Sequence, residues 1–380
     1  MKTYGVHYLG SKAKIVPYIL DITKSILPEG GTVIDVFTGS GRVAQGLKQS
    51  GYKVHTGDLN DASRVYSNAL IHSKPNPTHL QKYIDEMNSI EVPPNYDGWV
   101  TKNYSGEGNV DADREFHRYI KPNNSLKVDW ARDYTQDLFD KGKIGEYDRD
   151  ILICSIIFAM NKVDNSVGQQ HAYLKEWNGR SHNDIKFKLI PSLEGPFGGK
   201  HIHGDCFKVD YPVADLAYLD PPYTPTVPYH EFYHIWDSIT KWDKPETALK
   251  ARRRIDRVRR NNKEKYDYTY KNIPWYDIKN QDNIELNGAY QSFITMVEKL
   301  NTKHILISYS NQSIVSKDQM VDLLSKYGVV KVMSIDHKRN VMGSIGHSSK
   351  GEVISKENPN VTEYLFLLTK KIVYGNQGCK

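Results

Sequence analysis

Apolar positions in the first third of the chain alternate between two periods. In "KAKIVPYILDITKSIL" (Lys12–Leu27) they fall at Ile15, Ile19, Ile22 and Ile26, the spacing of one helix face. "GGTVIDVF" (Gly30–Phe37) is a short apolar run after a Pro-Glu-Gly-Gly break and predicts a buried strand. "SGRVAQGLKQSG" then predicts a helix with Gly51 at its end, and "YKVHTGD" (Tyr52–Asp58) a second strand. "NDASRVYSNALIHS" predicts the next helix, with Asn60 or Asp61 as N-cap. Strands alternating with helices in this way predict an α/β fold with a parallel, doubly wound sheet.

The alternation breaks at "KPNPTHL". From about Lys74 to Gly199 the chain is polar, aromatic and irregular, which predicts an inserted domain with short helical pieces; "ILICSIIFAM" (Ile151–Met160) is its core segment. Strand-like runs resume at "HIHGDCF", "DLAYLD" and "KHILISYS" (Lys303–Ser310), the last after a helix around Ala289–Leu300. "YGVVKVMSID" and "VTEYLFLLTK" flank a Gly/Ser-rich loop and predict an antiparallel pair closing the sheet.

Composition narrows the class. Hydrophobic residues make up 39% and charged residues 25% of 380, the balance of a water-soluble globular chain. No apolar run reaches the roughly 18 residues that cross a bilayer, so no membrane partner is expected. The first residues, "MKTYGVHYLGSK", lack the apolar stretch of a secretory signal. Three widely spaced cysteines argue against a disulfide framework and for a reducing cytoplasm. The net charge of +6 is concentrated: Lys244–Lys265 carries ten Lys or Arg against three acids. Arg252, Arg253, Arg254, Arg257, Arg259 and Arg260 lie in this block, a surface suited to a polyanion rather than an ordinary solvated helix.

Two motifs carry chemistry. "VIDVFTGSGRVA" sets Gly39, Gly41 and Ala44 in a G-x-G-x-x-A pattern between strand and helix. Asp58 ends the next strand, where a carboxylate accepts from ribose hydroxyls. A nicotinamide cofactor shares this pattern. Two features favour S-adenosylmethionine: Asp35 is a poor neighbour for a pyrophosphate, and "YLGSK" precedes the first strand, where Lys12 can meet a carboxylate. The second motif, "LDPPYTP" (Leu219–Pro225), follows a buried strand. Its prolines offer no N–H, so Asp220 and the Pro221 carbonyl form a set of acceptors for an amino group; Pro222 stiffens the turn, and the ring of Tyr223 offers a stacking face for an extruded base.

In the order "YLGSK", "DVFTGSG", insert, "GDCF", "DPPY", the chain resembles the Dam-like DNA adenine-N6 methyltransferases of the alpha group. "ILISYSN" (Ile305–Asn311) and "VTEYLFLL" extend the match. The resemblance implies a Rossmann-like methyltransferase fold with a mixed seven-stranded sheet. It implies a catalytic domain from 1–74 and 200–380 and a mainly helical target-recognition domain at 75–199; the long stretch between "DPPY" and "ILISYSN" departs from the family, and its charge predicts a basic DNA-contacting segment at 244–265. By the same resemblance Tyr8 and Lys12 meet the methionine end of the cofactor, with Asp35, Phe37, Gly39 and Gly41 lining it. Asp58 holds the ribose, Asp205 and Phe207 meet the adenine, and Asp220, Pro221 and Tyr223 hold the target base. Double-stranded DNA is the implied partner of a monomer, with a cognate restriction endonuclease acting separately.

Other readings stay open at this point. Cytosine N4, RNA adenine or a protein glutamine are alternative amines, although such relatives usually replace the first residue of the tetrapeptide by Ser or Asn. A non-catalytic DNA binder on the same scaffold is a third class. His201, His203 and Cys206 invite a metal reading, but no fourth ligand follows at a usual spacing and no metal is expected. No cysteine follows a proline, so the nucleophile of cytosine-C5 methylation is absent. The amides of "NKVDNSVGQQHAYLKEWNGR" (Asn161–Arg180) suit either adenine edges or an ordinary polar loop.

Overall fold

Two apolar rows on α1 (Val16–Ile26) show how the first helix is made. Ile15, Val16, Ile19 and Thr23 are buried at helical spacing, while Pro17 sits in the first turn, where its missing N–H costs nothing. The predicted stripe is therefore shifted: Ile22 and Ile26 are only half-buried. The structure is a computed structural model that describes residues 1–7, 12–74, 76–106, 118–168, 170, 174, 176–191, 193–222, 232–247, 274–276, 283–338, 345–347, 353–356 and 360–371.

The expected βαβα run follows as β1 (Thr32–Asp35), α2 (Arg42–Gln49), β2 (Lys53–Asp58) and α3 (Asp61–Ser67), the last continued by a π-turn at Asn68–His72. Among the described residues, four α-helices occupy the middle of the chain: α4 (Gln81–Ser89), α5 (Trp99–Tyr104), α6 (Pro122–Asp140) and α7 (Glu146–Val163). After β3 (His201–His203) and β4 (Ala214–Leu219) come α8 (His234–Lys241), α9 (Gly288–Lys299), β5 (Thr302–Ser310), α10 (Lys317–Ser325) and β6 (Gly328–Lys338). A small antiparallel pair, β7 (Ile345–His347) and β8 (Val353–Lys356), precedes β9 (Asn360–Lys370). The large sheet has seven strands in the order β3-β2-β1-β4-β5-β9-β6, a mixed sheet of the expected class.

Two compact units share these elements: Met1–Leu20, Thr38–Val209 and Val227–Thr269 form the first, and Asp21–Phe37, Asp210–Thr226 and Tyr270–Lys380 the second. In the second unit β1, β4 and β5 are parallel, with Asp35 opposite Tyr218 and Leu219 opposite Ile307. Their residues are buried on both faces, as strands covered by helices require. β9 pairs antiparallel with both β5 and β6, so the predicted closing pair is present. Helix α10 starts in a reciprocal capping box: Gln319 N–H donates to Ser316 Oγ, and Ser316 N–H to Gln319 Oε1 at 2.8 Å.

In the first unit β2 and β3 are parallel, with Asp58 opposite His203. α7 is buried along nearly its whole apolar run, Ile151–Ile157 and Met160, and is anchored by charge as well. Its Asp150, fully buried, accepts from Arg64 and from Asn68 Nδ2, each at 2.8 Å. Buried Asp129 of α6 caps α5 from outside, accepting from the Val100 and Thr101 N–H groups at 2.7 and 2.9 Å. Residue 98 must be glycine here, since a Cβ would stand 2.1 Å from Asp129 Oδ2.

Candidate functional site

The glycine turn is built by the end of β2. Gly39 and Gly41 take φ of 51° and 76°, the left-handed region that glycine reaches without penalty. Thr38, a residue with no evident role in the sequence, ties the turn down twice. Its N–H donates to Gly57 O at 3.0 Å, and its Oγ1 accepts from Gly57 N–H at 3.1 Å. Gly39 N–H then donates to Asp58 Oδ2 at 2.8 Å. The other carboxylate oxygen accepts from Asn60 N–H at 2.9 Å and Asn60 Nδ2 at 3.1 Å. Burial pushes the Asp58 carboxyl above its ordinary value, against the pull of the Asn60 and Gly39 amides and the Ser63 hydroxyl. The carboxylate is fixed: Oδ1 already takes two donors, and Oδ2, with one, retains acceptor capacity for a hydroxyl.

"GDCF" stands at the same strand ends. Gly204 N–H donates to Asp58 O at 3.0 Å. Phe207 N–H donates to Asp205 Oδ1 at 3.0 Å, and the Lys208 and Val209 amides to Asp205 O at 2.8 and 3.0 Å. These bonds fold Asp205–Val209 into a turn with Asp205 and Phe207 part-exposed. Gly39, Gly41, Asp58, Asp205 and Phe207 are thus brought together at the carboxyl ends of β2 and β3, where open α/β sheets hold ligands. Lys12 belongs to this unit as well; it is buried, in the single turn Lys12–Lys14 before α1.

The second unit brings together another set. Val36 N–H donates to Tyr218 O at 3.0 Å, extending the β1–β4 pairing past Asp35. Asp35 is buried at the end of β1 and Phe37 emerges two residues later; Asp220 follows β4 directly. Pro221 is buried, while Asp220 and Pro222 are half-buried. Sequence reasoning missed two neighbours. Trp275 packs edge-on to Phe37 with ring centroids 5.5 Å apart and continues into Phe293 and Tyr309 at 5.0 and 5.1 Å. Buried Glu363 of β9 accepts from Ser308 Oγ at 2.5 Å, level with the end of β4. No local sequence signal links Trp275 to Phe37; the "S-Y-S" ending of β5 and the lone acid in an apolar β9 are the only hints for Ser308 and Glu363. Tyr8, Tyr223, Arg252, Arg253, Arg254, Arg257, Arg259 and Arg260 lie outside the described residues.

The histidines near β3 have a structural explanation. Thr56 Oγ1 lies 2.8 Å from His72 Nε2 and 3.0 Å from His201 Nδ1, so one hydroxyl donates to one ring and accepts from the other. His203 Nε2 is 3.8 Å from Asp61 Oδ1, an acid that Lys241 already pairs at 2.9 Å. Among the described residues no group of three or more His, Cys, Asp or Glu is placed to hold a metal. Burial holds both His72 and His201 down to about 3, helped for His72 by Lys48 and His55 and for His201 by His203, His72 and Arg64. Folded-state values below the unfolded 6.5 mean stability that is full above pH 6.5 and lost as pH falls toward 3. The melting temperature is expected to fall from about pH 6.5 to about pH 4, and His72→Gln to flatten that slope in a pH series of melts.

Among the described residues of Asn161–Arg180, the amides of Asn161, Asn165, Gln170 and Asn178 face the protein. Asn165, fully buried, donates from Nδ2 to Arg118 O at 3.0 Å and accepts Asn178 N–H at 2.8 Å. Asn178 Oδ1 accepts Ser181 N–H at 2.9 Å. Gln170 Oε1 accepts Ile235 N–H at 2.7 Å. Arg180 pairs with buried Asp164 and also donates to Ser166 O at 2.7 Å. Of the two readings left open, these residues take the structural one.

A glycine turn on a parallel strand end, an acid on the next strand and D-P-P on a third define a Rossmann-like α/β fold of the methyltransferase type. A model of the D12 class N6 adenine-specific DNA methyltransferases matches residues 8–323, and the chain belongs to that family. It is similar to modification methylase LlaI of Lactococcus lactis subsp. lactis, 29% identical over 361 residues that make up 91% of this chain and 53% of the relative. It is also similar to type II methyltransferase M.FokI of Planomicrobium okeanokoites, 24% over 98% of this chain and 54% of the relative. A third relative, type II methyltransferase M.CviAII of Paramecium bursaria Chlorella virus 1, is 24% identical over 96% of this chain and 98% of its own length. The chain therefore spans about half the length of the first two and nearly all of the third.

Proposed function

We propose that the chain methylates the N6 amine of adenine in duplex DNA, with S-adenosylmethionine as methyl donor. One observation carries the reading: Asp220 and the carbonyl of buried Pro221 leave the carboxyl end of β4 as an acceptor pair with no competing donor from either proline. The fixed Asp58 suits a ribose diol, Asp205 and Phe207 an adenine, and Lys12 a carboxylate, so this donor and acceptor set fits the cofactor. Asp35, Phe37, Gly39 and Gly41 line it in the same reading. When bound, S-adenosylmethionine supplies an electrophilic methyl group.

Asp220 and the Pro221 carbonyl hold the two amine hydrogens, which leaves the nitrogen lone pair available for attack. Tyr223 stacks on the extruded base and offsets part of the few kcal/mol that extrusion costs. Asp220 then accepts the proton that the methylated amine sheds. Alignment and electrostatics supply most of the acceleration. Residues 75–199 are proposed as the target-recognition region, and Arg252, Arg253, Arg254, Arg257, Arg259 and Arg260 as phosphate contacts. The family context favours a modification enzyme acting as a monomer in the cytoplasm, beside a restriction endonuclease of the same specificity. No helix among the described residues is long and apolar enough to cross a membrane.

The test is transfer of tritiated methyl groups to unmodified plasmid DNA, compared with RNA and single-stranded DNA. Label confined to duplex DNA is expected; label on RNA or protein alone would refute the substrate assignment. Neutralising Arg252, Arg253 and Arg254 together should weaken DNA binding. It should also reduce the slope of log affinity against log salt by about 0.9 for each phosphate that is no longer neutralised. An unchanged slope would return the block to a solvated face.

A further inference from the structure

Asn161, Gly168 and Gln170 hold two stretches of chain. The first is the lead-in to Tyr8–Lys12. Asn161, at the end of α7, accepts His7 N–H on Oδ1 at 3.2 Å and places Nδ2 3.3 Å from His7 Nδ1. Gly168 packs against the same side chain; a Cβ there would stand 3.4 Å from His7 Cβ. The second is the return of the chain after D-P-P-Y. Gln170 N–H donates to Phe232 O at 2.7 Å, and Gln170 Oε1 accepts Ile235 N–H at 2.7 Å. Ile235 is in the first turn of α8, so its N–H has no partner within the helix, and both residues are buried. Gln170 Nε2 reaches the buried Tyr119 hydroxyl at 3.4 Å, which orients the amide.

The far end of α8 is fastened from α6. Buried Arg132 of α6 donates to Ile239 O at 2.7 Å and Thr240 O at 3.1 Å, the carbonyls that a helix end leaves open. Trp242 follows with φ 55°, a conformation that costs a non-glycine residue about 1–2 kcal/mol. It is held there by Asp133 Oδ1, which accepts its Nε1–H at 2.6 Å, and by Arg132 over its ring at 5.3 Å. Residues 232–247 are therefore bonded at both ends: to Gln170, beyond α7, at the start, and to α6 and to Asn103 of α5, which accepts the Thr247 hydroxyl at 2.7 Å, at the finish.

We propose that Asn161 and Gln170 are positioning residues for the proposed methyl transfer: Asn161 sets the lead-in to the cofactor-binding "YLGSK", and Gln170 sets the return end of the "DPPY" stretch. The inference rests on the proposed function for what these stretches do. Asn161 and Gln170 then act by holding backbone rather than by reading bases. Loss of an anchor displaces a reacting group without removing it, and displacements near 1 Å cost about 10²-fold in rate.

The two anchors predict opposite kinetic signatures. Gln170→Met keeps the side-chain length and removes the acceptor; kcat on plasmid DNA should fall about 30-fold or more, with the Kd for S-adenosylmethionine within about twofold. Gln170→Glu keeps the acceptor for Ile235 N–H but loses the donor to Tyr119, and should lose less kcat than Gln170→Met. Asn161→Leu should raise the cofactor Kd about fivefold and leave saturated kcat within about threefold, the size expected of two part-exposed bonds. Hydrogen exchange of the peptide spanning 232–236, measured without DNA or cofactor, should rise in Gln170→Met alone. That readout decides the anchoring claim even if the wild type transfers no methyl group, a result that would instead overturn the proposed function. Parallel loss of kcat and cofactor binding in both variants, or unchanged exchange at 232–236, would overturn the positioning roles.

Discussion

Asp220→Ala is expected to lower the methylation rate about 10³-fold while S-adenosylmethionine and DNA still bind. The residue follows β4, half-exposed, and its fold neighbours are already fixed by the β1–β4 and β4–β5 pairing through Tyr218 and Leu219. Truncation therefore removes one acceptor without opening the core. What is lost is the carboxylate that orients the amine and then takes its proton, a combined electrostatic and acid–base role of this size. Asp220→Asn keeps an acceptor but no charge, and is expected to fall between the two. Single-turnover rates with cofactor and DNA saturating measure this directly. A rate within about tenfold of wild type in Asp220→Ala would remove Asp220 from the chemistry.

Asp58→Ala is expected to abolish the cofactor-induced rise in melting temperature and to raise the cofactor Kd about 10²-fold. One hydroxyl bond to the remaining acceptor site of this carboxylate, at the upper end of about 1.5–3 kcal/mol and tenfold per about 1.4 kcal/mol, gives this factor. The variant should also lose stability in the absence of ligand. Gly39 N–H, Asn60 N–H and Asn60 Nδ2 all donate to this carboxylate, and leaving them unmet costs about 1–3 kcal/mol. Asp58→Asn should not restore either property fully, because its amide would turn a donor toward one of these N–H groups. Titration calorimetry with S-adenosylmethionine alone, beside thermal melts, separates the two effects. An intact cofactor shift would exclude Asp58 as the ribose ligand.

The strands were readable because burial on both faces leaves continuous apolar runs, as at Val33–Ile34 and Leu216–Leu219. The turn at Gly39–Gly41 and the acid at Asp58 were readable because their residue types have few other uses in that order. Helix α6 was hidden despite its length. Its buried face contains Asn124, Ser125, Asp129, Arg132 and Thr135, so hydrophobic periodicity fails where polar groups are buried with partners. The capping box at Ser316 and Gln319 stands in the sequence as S-x-x-Q and marks the start of α10. The direction of the amides in Asn161–Arg180 was not readable, since an Asn that meets a backbone carbonyl and one that meets a base have the same sequence. The pairing of Phe37 with Trp275 depends on a fold that brings distant segments together.

Methyl-labelled S-adenosylmethionine, unmodified plasmid DNA and the full chain, followed by digestion to nucleosides and mass analysis, test the central claim most directly. Label in N6-methyldeoxyadenosine alone is predicted, together with its loss in Asp220→Ala. Label in N4-methyldeoxycytidine, or none in any nucleoside while the cofactor is bound, would contradict it.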